Sequence, residues 1–163
     1  MAAFSHLYVW RDRPLLELVE HIAQAYHEPH REQLARLCEI THELRGEAPF
    51  TGGIPGLVEA FEYLREELLQ HMLKEERHIF SRAVGGGVGW VSAAPMKIAE
   101  HEHELMGTFF EQLRDLTDDY GPAADASPAL RAFCTGLSDM DALYREHTWV
   151  EEQILMPRIR NEA

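Results

Sequence analysis

Apolar residues recur along most of this chain at intervals of four and three, and the runs that keep this spacing are separated by clusters of glycine and proline. Such spacing returns to one helix face at every turn and predicts amphipathic helices packed on one another. Breakers at Gly46–Pro55, Gly85–Pro95 and Gly121–Pro128 leave four segments, with helices expected over about 14–45, 55–83, 95–119 and 128–157. Pro14, Pro95 and Pro128 fall where a first helical turn starts, Ser127 is a natural N-cap, and Thr51–Pro55 leads into the second helix. Alternating β-type runs are lacking apart from a short ambiguous stretch at Gly89–Val91. The chain therefore reads as all-α, and short connections make it an antiparallel up-down-up-down four-helix bundle within one domain over 1–163.

Three of the segments keep a clear buried seam. It runs Leu57, Phe61, Leu64, Leu68, His71, Glu75, His78 in the second helix and Ala99, His103, Met106, Phe110, Leu113, Thr117 in the third. In the fourth it runs Leu130, Phe133, Leu137, Met140, Tyr144, His147, Glu151, Ile154. The first helix is looser: Val19, Ala23, Tyr26, His30, Leu34 and Leu37 make the best line, with His27 on its shoulder. Polar residues thus occupy positions where the pattern asks for leucine. Antiparallel packing brings His27, His71, His103 and His147 to within about two helical turns of one level.

Composition narrows what these residues can do. The 163 residues suffice for a core without staples, and no apolar run is long enough to cross a membrane. Residues 1–13 lack the features of a secretory signal, so the cytoplasm is expected. Cys38 and Cys134 have neither disulfide-framework nor zinc-ribbon spacing. A net charge of −13 argues against nucleic acid and anionic membranes as partners. Ten histidines is a high count for such a chain and points toward metal.

A carboxylate four residues after a histidine shares its helix face, so His71 with Glu75 and His147 with Glu151 each present nitrogen and oxygen to one point. Two such pairs, with single histidines from the other two helices, make the ligand set of a carboxylate-bridged di-iron or di-manganese centre. A lone seam histidine is more often a hydrogen-bonded core residue than a ligand. Burying two unpaired glutamates with several histidines at one level would, however, cost several kcal/mol per charge, which coordination removes. His78 lacks a partner at its depth and is expected in a polar or supporting role. His6, His21, His42 and His101 are expected in solvent, and Glu76, Glu102, Glu104 and Glu152 as surface charge. Met106, Phe110, Met140 and Tyr144 read as core, with Tyr144 bordering the site. Gly85–Gly89 reads as a flexible loop without phosphate-binding spacing.

The stretches YHEPHREQL (Tyr26–Leu34), HMLKEERHIF (His71–Phe80), EHELMG (Glu102–Gly107) and EHTWVEEQILMPR (Glu146–Arg158) resemble the hemerythrin-like domain of the repair-of-iron-centres proteins. LTDDYGP (Leu116–Pro122) and REELL (Arg65–Leu69) are similar too. The resemblance implies a hemerythrin-like bundle holding two iron ions through His27, His71, His103 and His147, with Glu75 and Glu151 as bridges and manganese or zinc as substitutes. It places the first-helix ligand at His27, where periodicity alone prefers His30. Gly107 stands where oxygen-carrying hemerythrins have a further histidine, which implies an open coordination position. Ser127 stands where the family tends to have cysteine, and the family's small cysteine-bearing N-terminal domain has no counterpart in residues 1–163.

Two functions are consistent with this pattern. One is a di-iron protein that binds or reduces O2, NO or peroxide in nitrosative or oxidative stress or in iron-centre repair, with a diatomic ligand and an iron-sulfur client as partners. The other is an O2- or NO-sensing or iron-storing module without turnover.

Overall fold

The computed structural model describes residues 4–46, 54–84 and 93–162. A 3-10 segment, Ser5–Arg11, precedes four long helices. Helix α1 covers 15–46 as Leu15–Ile22, a π-helical turn Ala23–His27, and Glu28–Gly46. Helix α2 covers 54–84 as Ile54–Glu75, a π-helical turn Glu76–Phe80, and Ser81–Val84. Helix α3 is Ala93–Leu116. Helix α4 covers 128–162 as Pro128–Val150, a π-helical turn Glu151–Leu155, and Met156–Glu162. No strand occurs among the described residues, and no helix there is long and apolar enough to cross a membrane. The expected Thr51 lead-in, the Gly85–Gly89 loop and the ambiguous Gly89–Val91 stretch lie outside the described residues.

The helix ends obey local chemistry. Ser127 caps α4 by accepting from the Leu130 amide at 3.1 Å, with Pro128 in the first turn, where a missing N–H costs nothing. Helix α3 stops at Leu116, three residues before the expected 119, because Asp118, Asp119 and Tyr120 turn left-handed with φ of 51°, 58° and 63°. Each such residue costs about 1–2 kcal/mol, so the turn needs support. Thr117 supplies part of it, donating to the Leu113 carbonyl and accepting from the Tyr120 amide at 3.0 Å. Helix α4 continues through Pro157, where the pattern expected a stop. The π turn immediately before it carries the chain past the residue that cannot donate, with the Met156 amide bonded to the Glu151 carbonyl.

The helices pair chiefly as α1 with α4 and α2 with α3. One apolar cluster, including Leu34, Phe61, Leu68, Phe110, Phe133 and Leu137, fills one end of the bundle. A second, including Leu18, Ile22, Phe80, Met96, Ile154 and Met156, fills the other, and Leu7 of the 3-10 segment belongs to it. Burying each such Leu, Ile or Phe contributes about 1.5–3 kcal/mol. At Gly136 the α1–α4 contact is so close that a Cβ would lie 2.7 Å from a Leu37 methyl. Between the two clusters lies a buried polar layer of five histidines and two glutamates from α1 to α4.

Candidate metal centre

All three π turns adjoin that layer, and they account for which side chains enter it. A π turn adds one residue to a helical turn and rotates the later part of the helix about its axis. In α1 it lets His27 succeed Ile22 in the interior by five residues rather than four, so the core line is Leu18, Ile22, His27, His30, Leu34, Leu37. His30 is also fully buried, yet the cluster of inward nitrogens and oxygens contains His27 and not His30. This corrects the preference that straight periodicity gives to His30. In α2 the π turn moves His78 off the seam into solvent and seats Ile79 and Phe80 in the core.

His27, His71, Glu75, His103, His147 and Glu151 are each at most 5% exposed. They form two groups, His27–Glu75–His147–Glu151 and His71–Glu75–His103–Glu151, each with one donor atom per residue lying within 4.8 Å of the others. Both groups share the same two glutamates. Within the first, His147 Nε2 is 3.0 Å and His27 Nε2 3.8 Å from Glu151 Oε1, and His27 Nε2 is 3.4 Å from Glu75 Oε2. Within the second, His71 Nε2 lies 3.2 Å from Glu75 Oε2 and His103 Nε2 3.1 Å from Glu151 Oε2.

Proton placement tests whether this set fits a metal. Nδ1 of His27 faces Glu76 at 2.8 Å, Nδ1 of His71 faces Glu102 at 3.0 Å, and Nδ1 of His103 faces Glu152 at 2.9 Å. An ionised carboxylate only accepts, so these three Nδ1 atoms donate and each neutral ring turns a bare Nε2 lone pair inward. There His71 and His103 meet Nε2 to Nε2 at 3.1 Å, as do His27 and His147. Glu75 Oε2 and both Glu151 oxygens lie within ion-pair reach of these nitrogens but have no hydrogen-bond partner. Lone pairs and anionic oxygens that converge without donors are completed only by cations. Where no metal cation is bound, a second proton on an imidazole answers the same pull and takes the Nε2 lone pair that a cation would use. Burial opposes charge on His27, yet Glu151, Glu75 and Glu76 outweigh it and push its pKa up to about 11. His103 is raised against burial to about 10 by Glu151, Glu152 and Glu75. Burial alone would raise Glu151, but His147, His103 and His27 hold it well below the usual carboxylate range. The donor set is that of a metal-binding site, and mixed nitrogen and oxygen suits iron.

Sequence reasoning missed the outer carboxylates. Glu76, Glu102 and Glu152 are not free surface charge: each fixes one imidazole, which sets its tautomer and orientation. Arg31 bonds Glu76 at 2.6 Å and Lys74 bonds Glu102, so two of the three are themselves held. A signal was available in the doublets Glu75-Glu76 and Glu151-Glu152, whose second member reaches the histidine of a neighbouring helix. Glu104 does stay exposed, beside His101. His21 departs from the expected solvent position: it is partly buried and stacked on Trp10. Tyr144 borders the layer as expected and donates to the His103 carbonyl at 3.1 Å.

Two cavities approach the layer from outside. One of about 400 Å³ between α2 and α3 is lined by Ile79, Pro95, Ile98 and Ala99 and reaches Glu75 and Glu102. One of about 270 Å³ between α3 and α4 passes Gly107, Phe110 and Tyr144 and reaches His103. A Cβ at Gly107 would meet nothing within 4 Å, consistent with that open side.

Four antiparallel helices around two carboxylates shared by two histidine pairs define a cation-binding helical-bundle protein. The chain belongs to the hemerythrin family, since the model of the hemerythrin HHE cation binding domain matches residues 18–159. It is 35% identical over 156 residues to the iron-sulfur cluster repair protein YtfE of Musicola paradisiaca strain Ech703, covering 94% of this chain and 70% of that protein. The YtfE of Pectobacterium atrosepticum is 34% identical over 155 residues, with 91% and 67% covered. That of Escherichia coli O81 is 33% identical over 150 residues, with 91% and 68% covered.

Proposed function

We propose that this chain is a non-haem di-iron protein that binds or reduces a small oxidant, O2, NO or peroxide, in stress defence or iron-centre repair. In this reading His27 and His147 would hold one iron and His71 and His103 the other, with Glu75 and Glu151 shared between the two groups. The observation that supports it best is the sharing of both buried glutamates by two separate histidine pairs. A single-ion site would have no use for the second pair. Similarity to iron-sulfur cluster repair proteins supports the repair context, with an iron-sulfur protein as client. Manganese or zinc would occupy the same donors.

Iron held by these residues would supply Lewis acidity and one-electron chemistry toward a small oxidant. The chain's own residues do the rest. Glu76, Glu102 and Glu152 keep the imidazoles oriented with Nε2 inward. The two apolar clusters exclude bulk water above and below the layer, which strengthens every charge interaction within it. The cavities at Glu75 and His103 admit a small molecule while the layer stays out of reach of a protein surface.

Anaerobic loading with ferrous ion and then exposure to O2, NO or peroxide tests the proposal. Turnover of the oxidant with about two irons per chain supports it. Stable stoichiometric binding without turnover moves the protein to the sensing or storage reading, and failure to take up iron rejects both.

A further inference from the structure

The metal layer is built by an approximate repeat of α1–α2 in α3–α4, and the repeat breaks at one point. Glu76 meets His27 and Glu152 meets His103, each from the next helix. Glu102, the residue before His103, meets His71. By the same rule the residue before His27 would be a carboxylate meeting His147. It is Tyr26, whose ring lies parallel to that of His147 at 5.4 Å between centroids and 7° between planes, while His147 Nδ1 has no partner.

From Tyr26 an unbroken series of rings leads outward. His21 stands edge-on to Tyr26 at 5.5 Å, and Trp10 stacks on His21 at 4.1 Å with 16° between planes. Tyr26 is 2% exposed, whereas Trp10 is partly exposed. The Tyr26 hydroxyl donates to Glu146 Oε1 at 2.9 Å, a carboxylate placed to receive its proton. The other aromatic neighbours of the layer lack this combination. Phe80, stacked on His27, has no proton to release and is much harder to oxidise. Tyr144 donates to a backbone carbonyl, which is no base.

We propose that Tyr26, His21 and Trp10 form a one-electron path between the metal layer and the protein surface. The proposal rests on the redox reading above, which requires electrons to reach a buried layer that admits a small oxidant but lies out of reach of another protein's surface. When a peroxide leaves an unspent oxidising equivalent at the centre, Tyr26 gives one electron through the His147 ring and its phenol proton passes to Glu146, leaving a neutral tyrosyl radical. Trp10 then gives one electron to Tyr26 across the His21 ring, and Glu146 returns the proton. The indole radical cation left at Trp10 is reduced by an external thiol, two thiols ending as one disulfide and two protons after two such events. His21 bridges the rings without changing oxidation state. The path keeps a strong oxidant from attacking the layer's own imidazoles.

The test uses the full chain loaded with ferrous iron, its iron counted per chain, mixed with hydrogen peroxide and frozen on the millisecond scale for electron paramagnetic resonance. The wild type should show a tyrosyl signal, and peptide mapping should show oxidation of the Trp10 indole. Tyr26→Phe keeps the stacked ring, so with iron content and melting temperature unchanged it should lose both. In Trp10→Phe the tyrosyl signal should persist and glutathione should no longer shorten its life. A tyrosyl signal retained in Tyr26→Phe, or no organic radical in fully iron-loaded wild type, would overturn the path while leaving the iron centre standing. A wild-type chain that takes up no iron would overturn the path and the reading beneath it together.

Discussion

Helix α4 carries two buried carboxylates whose surroundings are opposite. Asp141 is 3% exposed, and donors meet both of its oxygens: Arg114 at 2.7 and 3.0 Å, Arg145 at 3.0 Å twice, and the Tyr120 hydroxyl at 2.9 Å. Glu151, fully buried further along the same helix, has no hydrogen-bond donor on either oxygen and faces imidazole nitrogens and a second glutamate. Burial by itself therefore does not mark a functional site. Asp141 is closed by fixed charges of this chain, with paired bonds from each guanidinium, and it also tethers the left-handed turn through Tyr120. Glu151 is left to charges the chain does not supply.

The sharpest way to break this contrast is Glu151→Ala. It should remove about half or more of the bound metal, whereas Asp141→Ala should leave metal content unchanged; both are read by elemental analysis. Next in size, Asp141→Ala should lower unfolding free energy by about 2–4 kcal/mol, because it strands Arg114 and frees the turn. Chemical denaturation with and without chelator checks this, and the loss should be the same in both. Glu152→Gln should weaken metal affinity by about 10–100-fold by loosening the His103 ring, measured by competition with a chelating dye. The smallest effect is on acid stability. Arg114, Arg145 and Tyr120 hold Asp141 below the usual carboxylate range against the opposing effect of burial. Its stabilisation is thus present above the unfolded carboxylate value and lost as pH falls below it through the lowered folded one. Asp141→Asn should flatten that part of the stability curve.

The fold and the inner ring of the site were legible because they keep regular spacing. The seams through Phe61, Leu64 and Leu68, through Met106 and Phe110, and through Phe133 and Leu137 are core residues in the structure. His71 with Glu75 and His147 with Glu151 stand one turn apart, and a straight helix puts both members on one face. The features that were not legible depend on departures from that geometry. A π turn inserts a residue without any local residue preference to announce it, so the spacing in α1 favoured His30 over His27 and kept His78 on a seam it leaves. The outer glutamates lie on flanking faces, and only the packing of neighbouring helices reveals that Glu76, Glu102 and Glu152 end on imidazoles. The aromatic series from Trp10 to His147 joins the start of the chain to α4, a contact no periodicity encodes.

Anomalous diffraction at the iron edge from crystals of the iron-loaded chain tests the central claim most directly. The account predicts two peaks about 3.5–4 Å apart, one between His27 and His147 and the other between His71 and His103, with Glu75 and Glu151 touching both. A single peak, or none within this layer in protein that carries iron, would contradict it.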